Sequence, residues 1–296
     1  MPSDAIFLGC LVPAHAPWER RWIRMSTPGR APDPSTPVEE IADPFAAVRA
    51  AAARGESTDL GDVVRQAPVL PHGLSGAVGS IDATIAPPVV PTKIVGVGRN
   101  YRDHAAELGN DVPQVPLLFF KPLSCLIGSG APIVLPPGEH RIDFEGELVV
   151  VVGRRLRDAP VDEAARAVSA VCLGNDVSCR DLQRSDGQWT RAKGFDTFGP
   201  VGPFLRLVDG FDAVPTSARI RTYVGDALRQ DGALADMVFS VGEVLAHLSA
   251  CMTLEPGDVV FTGTPAGVGP LAPGETVRIE CEGFDLGRLV NPVVAA

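Results

Sequence analysis

The amino-acid sequence predicts an α+β protein that is rich in β structure. Its 31 glycines and 28 prolines are spread along all 296 residues, so turns recur too often for a bundle of long helices. Short apolar segments lie between these turns, a pattern typical of strands. Hydrophobic residues make up 45% of the chain and charged residues 21%, which is the composition of a protein with a packed core.

The net charge and the cysteines argue against several classes of function. A formal net charge of −10 disfavours nucleic-acid binding, because phosphate contacts need clustered lysine and arginine. The six cysteines form no CxxC pair and have no histidine at zinc-site spacing, so we expect reduced thiols. The sequence shows no leader pattern and no apolar stretch of membrane-spanning length. We therefore predict a cytoplasmic protein that does not enter a membrane.

Proline clusters at residues 28–37 and 87–91 divide the sequence near Thr92. We predict a small N-terminal domain over residues 1–91 and a larger domain over residues 92–296. In the first part, Asp43 and Pro44 predict the start of a helix that ends at Gly55. The opening twenty residues match no pattern, which leaves open whether they are disordered or serve a specific purpose.

The first elements after Thr92 alternate between strand and helix. Residues 93–97 predict a strand, and Asn100 is expected to cap a short helix over residues 101–108. Further strands are predicted at residues 117–120, at Ile133–Leu135 and at residues 145–152. The second half of the last strand is continuously apolar, which indicates burial on both faces.

Later elements follow from helical periodicity, capping and turn signals. Residues 161–173 have helical periodicity, and Ser240 with Glu243 forms a capping box before a helix that reaches about Cys251. Strands are predicted at Arg219–Val224 and residues 228–230, joined by a Gly-Asp turn, and at residues 259–262 and Thr276–Glu282.

Two acidic residues, Glu145 and Glu147, open the apolar strand. Side chains two positions apart point to the same face of a strand, so the two carboxylates are expected to lie side by side. Such a pair at a buried strand end is unfavourable by several kcal/mol unless a cation neutralises it. Ligation by oxygen alone suits Mg²⁺, Mn²⁺ or Ca²⁺ better than Zn²⁺ or Cu²⁺. The alternative is a solvated face of an edge strand, which Gly146 and the apolar continuation disfavour.

Asp176 and Lys193 are candidates to complete this site. Asp176 follows the predicted helix at a turn, where it could supply a third carboxylate ligand. Three carboxylates and one divalent ion leave a charge near −1, which Lys193 could offset while it binds an anionic substrate. Taken alone, Asp176 is an ordinary turn residue and Lys193 an ordinary surface residue.

His104 and Glu107 form a candidate general base. At positions i and i+3 they share one face of the short helix, so Glu107 can orient the imidazole and raise its basicity. An incidental pair on a surface helix is the alternative, and the spacing alone would favour it.

Six segments, in the same order over about 170 residues, together resemble the fumarylacetoacetate hydrolase family. They are GRNYRDH at 98–104, FKP at 120–122, DFEGEL at 143–148, GNDVS at 174–178, QWTRAK at 188–193 and TGTPAGVG at 262–269. The resemblance implies curved mixed β-sheets that form a roll around a metal site, usually in a homodimer. Residues 1 to about 90 resemble the variable N-terminal extension of longer members, with residues 22–25 as a candidate first strand.

The resemblance also implies roles for individual residues. It assigns a metal, Mg²⁺ or Mn²⁺, to Glu145, Glu147 and Asp176, and a catalytic dyad on a lid segment to His104 and Glu107. The residue at Lys193 polarises the substrate. Substrate-binding positions correspond to Arg99, Tyr101, Arg102, Gln188 and Thr264, the last of which helps hold a carboxylate.

These roles imply an enzyme that acts on a small 2-oxo acid through a metal-bound enolate. The expected reaction is hydrolysis of a carbon-carbon bond in an acylpyruvate, with His104 activating water. Decarboxylation of an oxaloacetate-like acid and isomerisation of an unsaturated diacid remain alternatives. A binding or scaffold protein that has lost turnover is a third alternative, disfavoured by the presence of triad, dyad and lysine together.

Overall fold

The computed structural model describes residues 4–107, 109, 111–138 and 140–296. Its strands are β1 (Ala5–Pro13), β2 (Arg21–Thr27), β3 (Pro37–Ile41), β4 (Ser75–Ala77), β5 (Ala83–Ile85), β6 (Ile94–Gly98), β7 (Leu117–Lys121), β8 (Leu126–Ile127), β9 (Ile133–Leu135), β10 (Ile142–Phe144), β11 (Gly146–Val152), β12 (Val168–Asn175), β13 (Ser178–Cys179), β14 (Gly199–Leu207), β15 (Arg219–Val224), β16 (Ala227–Ala233), β17 (Val259–Phe261), β18 (Gly269–Pro270), β19 (Thr276–Glu282) and β20 (Arg288–Ala295). The helices are α1 (Pro44–Ala53), α2 (Leu60–Gln66), α3 (Arg102–Glu107), α4 (Val161–Arg166), α5 (Arg180–Ser185), α6 (Thr190–Lys193) and α7 (Val241–Cys251).

Two mixed sheets and one antiparallel sheet build the part of the molecule that the structure describes, which confirms the β-rich α+β prediction. The largest has the order β4-β3-β2-β1-β14-β12-β11-β17-β6-β7, with β5 on β1 and β8 on β14. A second sheet has the order β16-β15-β19-β20-β9, and a three-stranded sheet has the order β13-β10-β18. Most neighbouring strands are antiparallel, and the pairs β6–β17, β8–β14 and β9–β20 are parallel. Among the described residues, none of the helices combines the length and the hydropathy that a bilayer span requires.

Strand β11 lies at the centre of the large sheet and is buried along its whole length, as its apolar sequence predicts. Leu148, Val150 and Val152 pack into the core shared with the second sheet, whereas Val149 and Val151 pack on the opposite side. That opposite side is covered by α1 and α2 through residues such as Phe45, Val48, Leu60 and Val64. The strand therefore places Glu147, and Glu145 directly before the strand, in the interior of the molecule.

Several predicted elements agree with the structure. Asp43 caps α1 by accepting from the amides of Phe45 and Ala46, and Ser240 and Glu243 form the capping box of α7. The predicted hairpin is present as β15 and β16, and Gly225 in its turn has a φ of 57°. These signals are local, so neighbouring residues alone determine them.

Residues 168–173, predicted as the second half of a helix, instead belong to strand β12. Helix α4 ends at Arg166, and β12 pairs with β11 on one side and β14 on the other. Every residue of β12 is buried. A strand buried on both faces is apolar at nearly every position, so its sequence also fits a helical period.

The N-terminal residues extend the large sheet. Strand β1 pairs with β2 along its length and with β14 through Phe7 and Leu8. Residues 5–13 are therefore ordered, and the candidate strand at residues 22–25 is the second strand, not the first. At the predicted junction, the amide and hydroxyl of Thr92 both donate to Asp258.

Candidate active site

Glu145, Glu147 and Asp176 converge in the interior, with their carboxylate oxygens within 4.8 Å of one another. Glu147 lies on β11, while Glu145 precedes this strand and Asp176 follows its partner β12. The register places Glu147 opposite Gly174, and the Asp176 amide donates to the Glu145 carbonyl at 2.9 Å. All three side chains are buried. Backbone pairing between two central strands therefore fixes the carboxylate cluster.

Three buried cations neutralise part of this cluster. The Lys193 Nζ lies 2.6 Å from both Glu145 and Asp176, and the Lys121 Nζ lies 2.7 Å from Asp176. The Arg180 guanidinium lies 2.7 Å from Glu145 and 2.8 Å from Asp143, a further buried carboxylate on β10. Two members of the triad thus have direct cationic partners.

Glu147 has no such partner among the described residues. Its Oε2 accepts a hydrogen bond from the Gly263 amide at 2.7 Å, and its side chain is 2% exposed. Burial, followed by the negative charges of Asp176 and Glu145, raises the pKa of Glu147 well above its ordinary value. By contrast, burial alone would raise the pKa of Glu145, but the charges of Lys193 and Arg180 outweigh it and hold that pKa below its ordinary value.

This imbalance fits a divalent cation. The donors are three carboxylates, which are hard oxygen ligands of the kind that Mg²⁺ and Mn²⁺ prefer. Their oxygens are close enough to share one ion, and a positive charge there would stabilise the ionised form of Glu147. The residues present therefore match the predicted metal site in type, burial and spacing.

His104 and Glu107 lie beside the carboxylates on α3. The His104 Nδ1 is 3.4 Å from Glu107, a long hydrogen bond, and its Nε2 is 3.9 Å from Glu145. Glu107 also accepts from the Gly267 amide at 3.1 Å, which holds it in place. Burial lowers the pKa of His104 most strongly, although the charge of Glu145 opposes this effect. A neutral imidazole at neutral pH is the form that can accept a proton.

Asn100 anchors α3 differently from the prediction. Its side-chain amide donates to the carbonyls of Phe239 and Thr262, and its Oδ1 accepts from the Phe239 amide. Asn100 was predicted to cap the helix, but its side chain instead links the segment before α3 to two distant loops through hydrogen bonds. Helix α3 extends to Glu107, and the predicted last residue, Leu108, lies outside the described residues.

A cavity of about 410 Å³ opens onto the carboxylates and His104. Phe119 and Trp189 form an aromatic wall, with ring centroids 5.4 Å apart. Of the other predicted site residues, Arg99, Lys193 and Thr264 also line the cavity. The Thr264 hydroxyl donates to the Gly146 carbonyl and accepts from the Gln230 amide, so its orientation is fixed. The three carboxylates, His104 and Lys193 thus share one small space, and Glu107 lies outside its lining.

Three predicted substrate-binding residues do not line this cavity. Tyr101 and Arg102 border a separate pocket of about 290 Å³, and the buried Tyr101 hydroxyl has no hydrogen-bond partner among the described residues. Gln188 is exposed in a surface depression behind Trp189. Arg102 is the first residue of α3 and Tyr101 directly precedes it, and both residues line this second pocket and not the cavity that His104 lines.

Sequence reasoning assigned no role to Lys121, Asp143 or Arg180. Lys121 lies in the FKP segment, and Arg180 follows the GNDVS segment by two residues, so the motifs mark both regions. Lys121 contacts Asp176, which is 55 residues away in the sequence. Arg180 contacts Glu145, which is 35 residues away. Isolated basic residues offer no periodicity from which such contacts can be predicted.

A buried carboxylate cluster that opens onto a small cavity is typical of enzymes that act on small molecules. Residues 93–294 match the family model described as fumarylacetoacetate (FAA) hydrolase, C-terminal. The chain belongs to the fumarylacetoacetate hydrolase family, which confirms the assignment from its six sequence segments.

Relatives of this family resemble the chain in sequence and in structure. A protein of Mycobacterium tuberculosis is 46% identical over 213 residues, which cover 72% of this chain and 79% of that protein. A 2-hydroxyhepta-2,4-diene-1,7-dioate isomerase from Mycobacterium marinum is 34% identical, with a TM-score of 0.77 over 98% of both chains. A fumarylpyruvate hydrolase from Pseudomonas aeruginosa, in complex with Mn²⁺ and pyruvate, is 34% identical, with a TM-score of 0.62 over 72% of this chain and 92% of that chain. Structural relatives of this chain thus include a hydrolase and an isomerase.

Proposed function

We propose that this protein is a divalent-metal-dependent hydrolase that cleaves a carbon-carbon bond in an acylpyruvate-type 2-oxo acid. The observation that carries the proposal is the position of a histidine-glutamate pair directly beside three buried carboxylates, with His104 Nε2 3.9 Å from Glu145. A base that faces a metal-binding cluster across a small cavity suits the activation of water. The structural likeness to a fumarylpyruvate hydrolase that holds Mn²⁺ and pyruvate supports the same reaction class.

Glu145, Glu147 and Asp176 would hold the metal, Mg²⁺ or Mn²⁺. When bound, the ion supplies a Lewis acid that stabilises negative charge on the carboxylate and 2-oxo oxygens of the substrate. Lys193, whose Nζ is fixed by Glu145 and Asp176, adds a positive charge next to the same oxygens. The protein therefore presents positive charge where the reaction develops negative charge.

His104 acts on the other end of the substrate. The hydrogen bond from Nδ1–H to Glu107 selects the tautomer whose free Nε2 faces the cavity, where it can accept a proton from water. The oxygen of that water adds to the distal carbonyl carbon, and the bond between this carbon and carbon three of the pyruvate unit breaks. The bonding electron pair forms the enolate of pyruvate, which takes at carbon three the proton that His104 removed from water. The products are a carboxylic acid and pyruvate.

Isomerisation of an unsaturated diacid is the second candidate function. The observation that favours it is the match to the M. marinum isomerase along 98% of the chain, which includes the N-terminal residues. His104 would then move a proton between two carbons of the substrate instead of activating water. The same residues serve both reactions, so the products must distinguish them.

The decisive experiment incubates the protein with Mn²⁺ and a panel of acylpyruvates, oxaloacetate and unsaturated diacids, and identifies the products. Pyruvate with a carboxylic acid would support hydrolysis, CO₂ would indicate decarboxylation, and an isomer would indicate the second candidate. Absence of turnover across the panel, with intact Mn²⁺ binding, would refute the proposal in favour of a binding protein.

Two variants test the roles of individual residues, and a third serves as their control. We expect Glu145→Gln to abolish Mn²⁺ binding in calorimetry. His104→Ala should keep Mn²⁺ binding and lower kcat by about 10²-fold or more, the usual contribution of a general base. The matched control is His15→Ala, because His15 is an exposed histidine on the N-terminal segment. Unchanged hydrolysis by His104→Ala would refute the assignment of the base.

A further inference from the structure

A second cluster of metal-ligating side chains lies outside the carboxylate triad. One nitrogen of His140, the Sγ of Cys179 and one carboxylate oxygen of Asp181 lie within 4.8 Å of one another. His140 is exposed, Asp181 is partly buried and Cys179 is buried. The cluster thus has one ligand inside the protein and two at the surface, and it plays no part in the proposed reaction.

The backbone brings these residues together. Strands β10 and β13 pair with Ile142 opposite Cys179, so His140 and Asp181 follow at the same end of the two-stranded ladder. The Arg180 amide donates to the Arg141 carbonyl at 2.8 Å, and the Arg141 amide donates to the Asp181 carboxylate at 2.8 Å. About 40 residues separate His140 from the other two in the sequence, so no spacing motif marks the cluster.

We propose that His140, Cys179 and Asp181 form a Zn²⁺ site that is separate from the carboxylate metal site. A thiolate, an imidazole and a carboxylate form a mixed ligand set that Zn²⁺ accepts readily and Mg²⁺ does not. Three protein ligands at an open surface leave the fourth tetrahedral position to water. The chemistry of the donors therefore distinguishes this site from the oxygen-only triad.

The ligands need only a small movement to bind an ion. Zinc ligand bonds of about 2.0–2.3 Å place neighbouring ligand atoms roughly 3.5 Å apart in a tetrahedron. The present spacing of up to 4.8 Å therefore requires closure by about 1 Å. His140 can supply this movement because its side chain is exposed, while Cys179 stays in its buried position.

The surrounding arginines leave room for a cation. Arg180 and Arg141 both direct their guanidinium groups to Asp143, at 2.8 and 2.9 Å. Arg184 pairs with Asp181 at 2.5 Å, but its side chain is 68% exposed. An exposed ion pair of this kind contributes little stability, so Zn²⁺ can displace Arg184 from Asp181 at small cost.

A metal ion bound at this site would also stabilise part of the wall of the active-site cavity. Arg180 lies between Cys179 and Asp181 in the sequence, and its guanidinium contacts Glu145. A metal bound to the residues on both sides would hold the turn that carries Arg180. This role differs from catalysis and does not depend on which reaction the protein performs.

Co²⁺ is the probe that tests the site, because a cysteine ligand gives a thiolate-to-cobalt charge-transfer band and an all-carboxylate site gives none. The full-length protein, with reduced thiols and saturating Mg²⁺, is titrated with Co²⁺ and then with Zn²⁺. We expect one equivalent of Co²⁺ to produce the band and Zn²⁺ to remove it. Absence of the band from the wild-type protein would overturn the proposal.

Variants separate this cluster from other cysteines and histidines. Cys179→Ser should remove the band, and His140→Ala and Asp181→Asn should weaken Co²⁺ binding by about tenfold or more. The matched controls, Cys251→Ser and His15→Ala, change an exposed cysteine and an exposed histidine and should leave the titration unchanged. If Cys179→Ser fails to fold, the two surface ligands decide the outcome. Unchanged binding by both His140→Ala and Asp181→Asn, or loss of the band in Cys251→Ser, would refute the proposal.

Discussion

Replacement of Glu147 by glutamine is expected to stabilise the protein in a chelating buffer while it removes metal binding. Glu147 is buried beside Glu145 and Asp176, and within the described part of the chain its side chain has one hydrogen bond, from the Gly263 amide. Glutamine keeps the oxygen that accepts this bond, and its amide nitrogen can donate to a neighbouring carboxylate. The substitution therefore removes an unfavourable charge without loss of packing.

The free energy needed to protonate the Glu147 carboxyl group sets an upper limit on the gain in stability. An ordinary glutamate has a pKa of 4.5, so folding with a protonated Glu147 at pH 7 costs about 3 kcal/mol. If the group stays ionised in the folded protein, the electrostatic cost is smaller than this limit, since protonation would otherwise occur. We expect a gain of about 1–3 kcal/mol in the free energy of unfolding, or roughly 2–6 °C in Tm for a chain of this size.

The gain should depend on pH in a defined direction. The folded-state pKa of Glu147 is raised, so the folded protein binds more protons than the unfolded chain above pH 4.5. The wild-type protein therefore keeps its stability below the ordinary pKa of glutamate, and its free energy of unfolding falls as the pH rises toward the folded-state pKa of Glu147. The advantage of Glu147→Gln should be small at pH 5 and should grow between pH 5 and pH 8.

The assay is urea or thermal unfolding in EDTA and in excess Mn²⁺, with Glu145→Gln as the matched control. Glu145 pairs with both Lys193 and Arg180, so its replacement should destabilise the protein in EDTA by about 3–5 kcal/mol. Mn²⁺ should raise the Tm of the wild-type protein and leave both variants unchanged. If Glu147→Gln is destabilised in EDTA at pH 8 as strongly as Glu145→Gln, the electrostatic account of this site is wrong.

Three further predictions concern the scaffold, each measured as the free energy of urea unfolding. Gly146→Ala should lose about 1–3 kcal/mol, because its Cβ would lie 2.0 Å from the Thr222 hydroxyl, and Thr222→Ala in the same chain should restore part of the loss. Asp258→Ala should lose about 3–5 kcal/mol, because this buried carboxylate accepts from three backbone amides and from the side chains of Thr92 and Lys93. Its control is Asp209→Ala, which removes an exposed ion pair and should change stability by less than about 1 kcal/mol. Ser240→Ala should lose about 1 kcal/mol through the capping box of α7. Equal losses at Asp258 and Asp209 would contradict the dependence on burial.

The acidic pair at the start of β11 could be predicted because the signal is local. Alternation along a strand fixes the relation between Glu145 and Glu147, whatever the rest of the chain does. Asp176 needed more information, since its place beside the pair depends on the register between β11 and β12. Its position at a turn made it a candidate, the resemblance to a known family assigned it to the metal, and the structure brings its carboxylate beside the other two.

The cationic surroundings of the triad could not be predicted in this way. Lys121 reaches Asp176 from the end of β7, and Arg180 reaches Glu145 from the start of α5. Each contact depends on how separate sheets pack against one another, and a single basic residue carries no periodic signal. The second half of the helix predicted over residues 161–173 was wrong for a related reason, because a doubly buried strand has no polar face to mark its period of two.

The contact between β1 and β14 has a consequence for residues 93–294 in the absence of the N-terminal strands. Strand β14 pairs with β12 on one side, and Phe7 and Leu8 of β1 occupy part of its other side. An uncovered strand offers free amide and carbonyl groups that recruit strands from other molecules. We expect a chain shortened to residues 93–294 to expose this border and to self-associate more readily than the whole chain, because β1 would no longer cover β14.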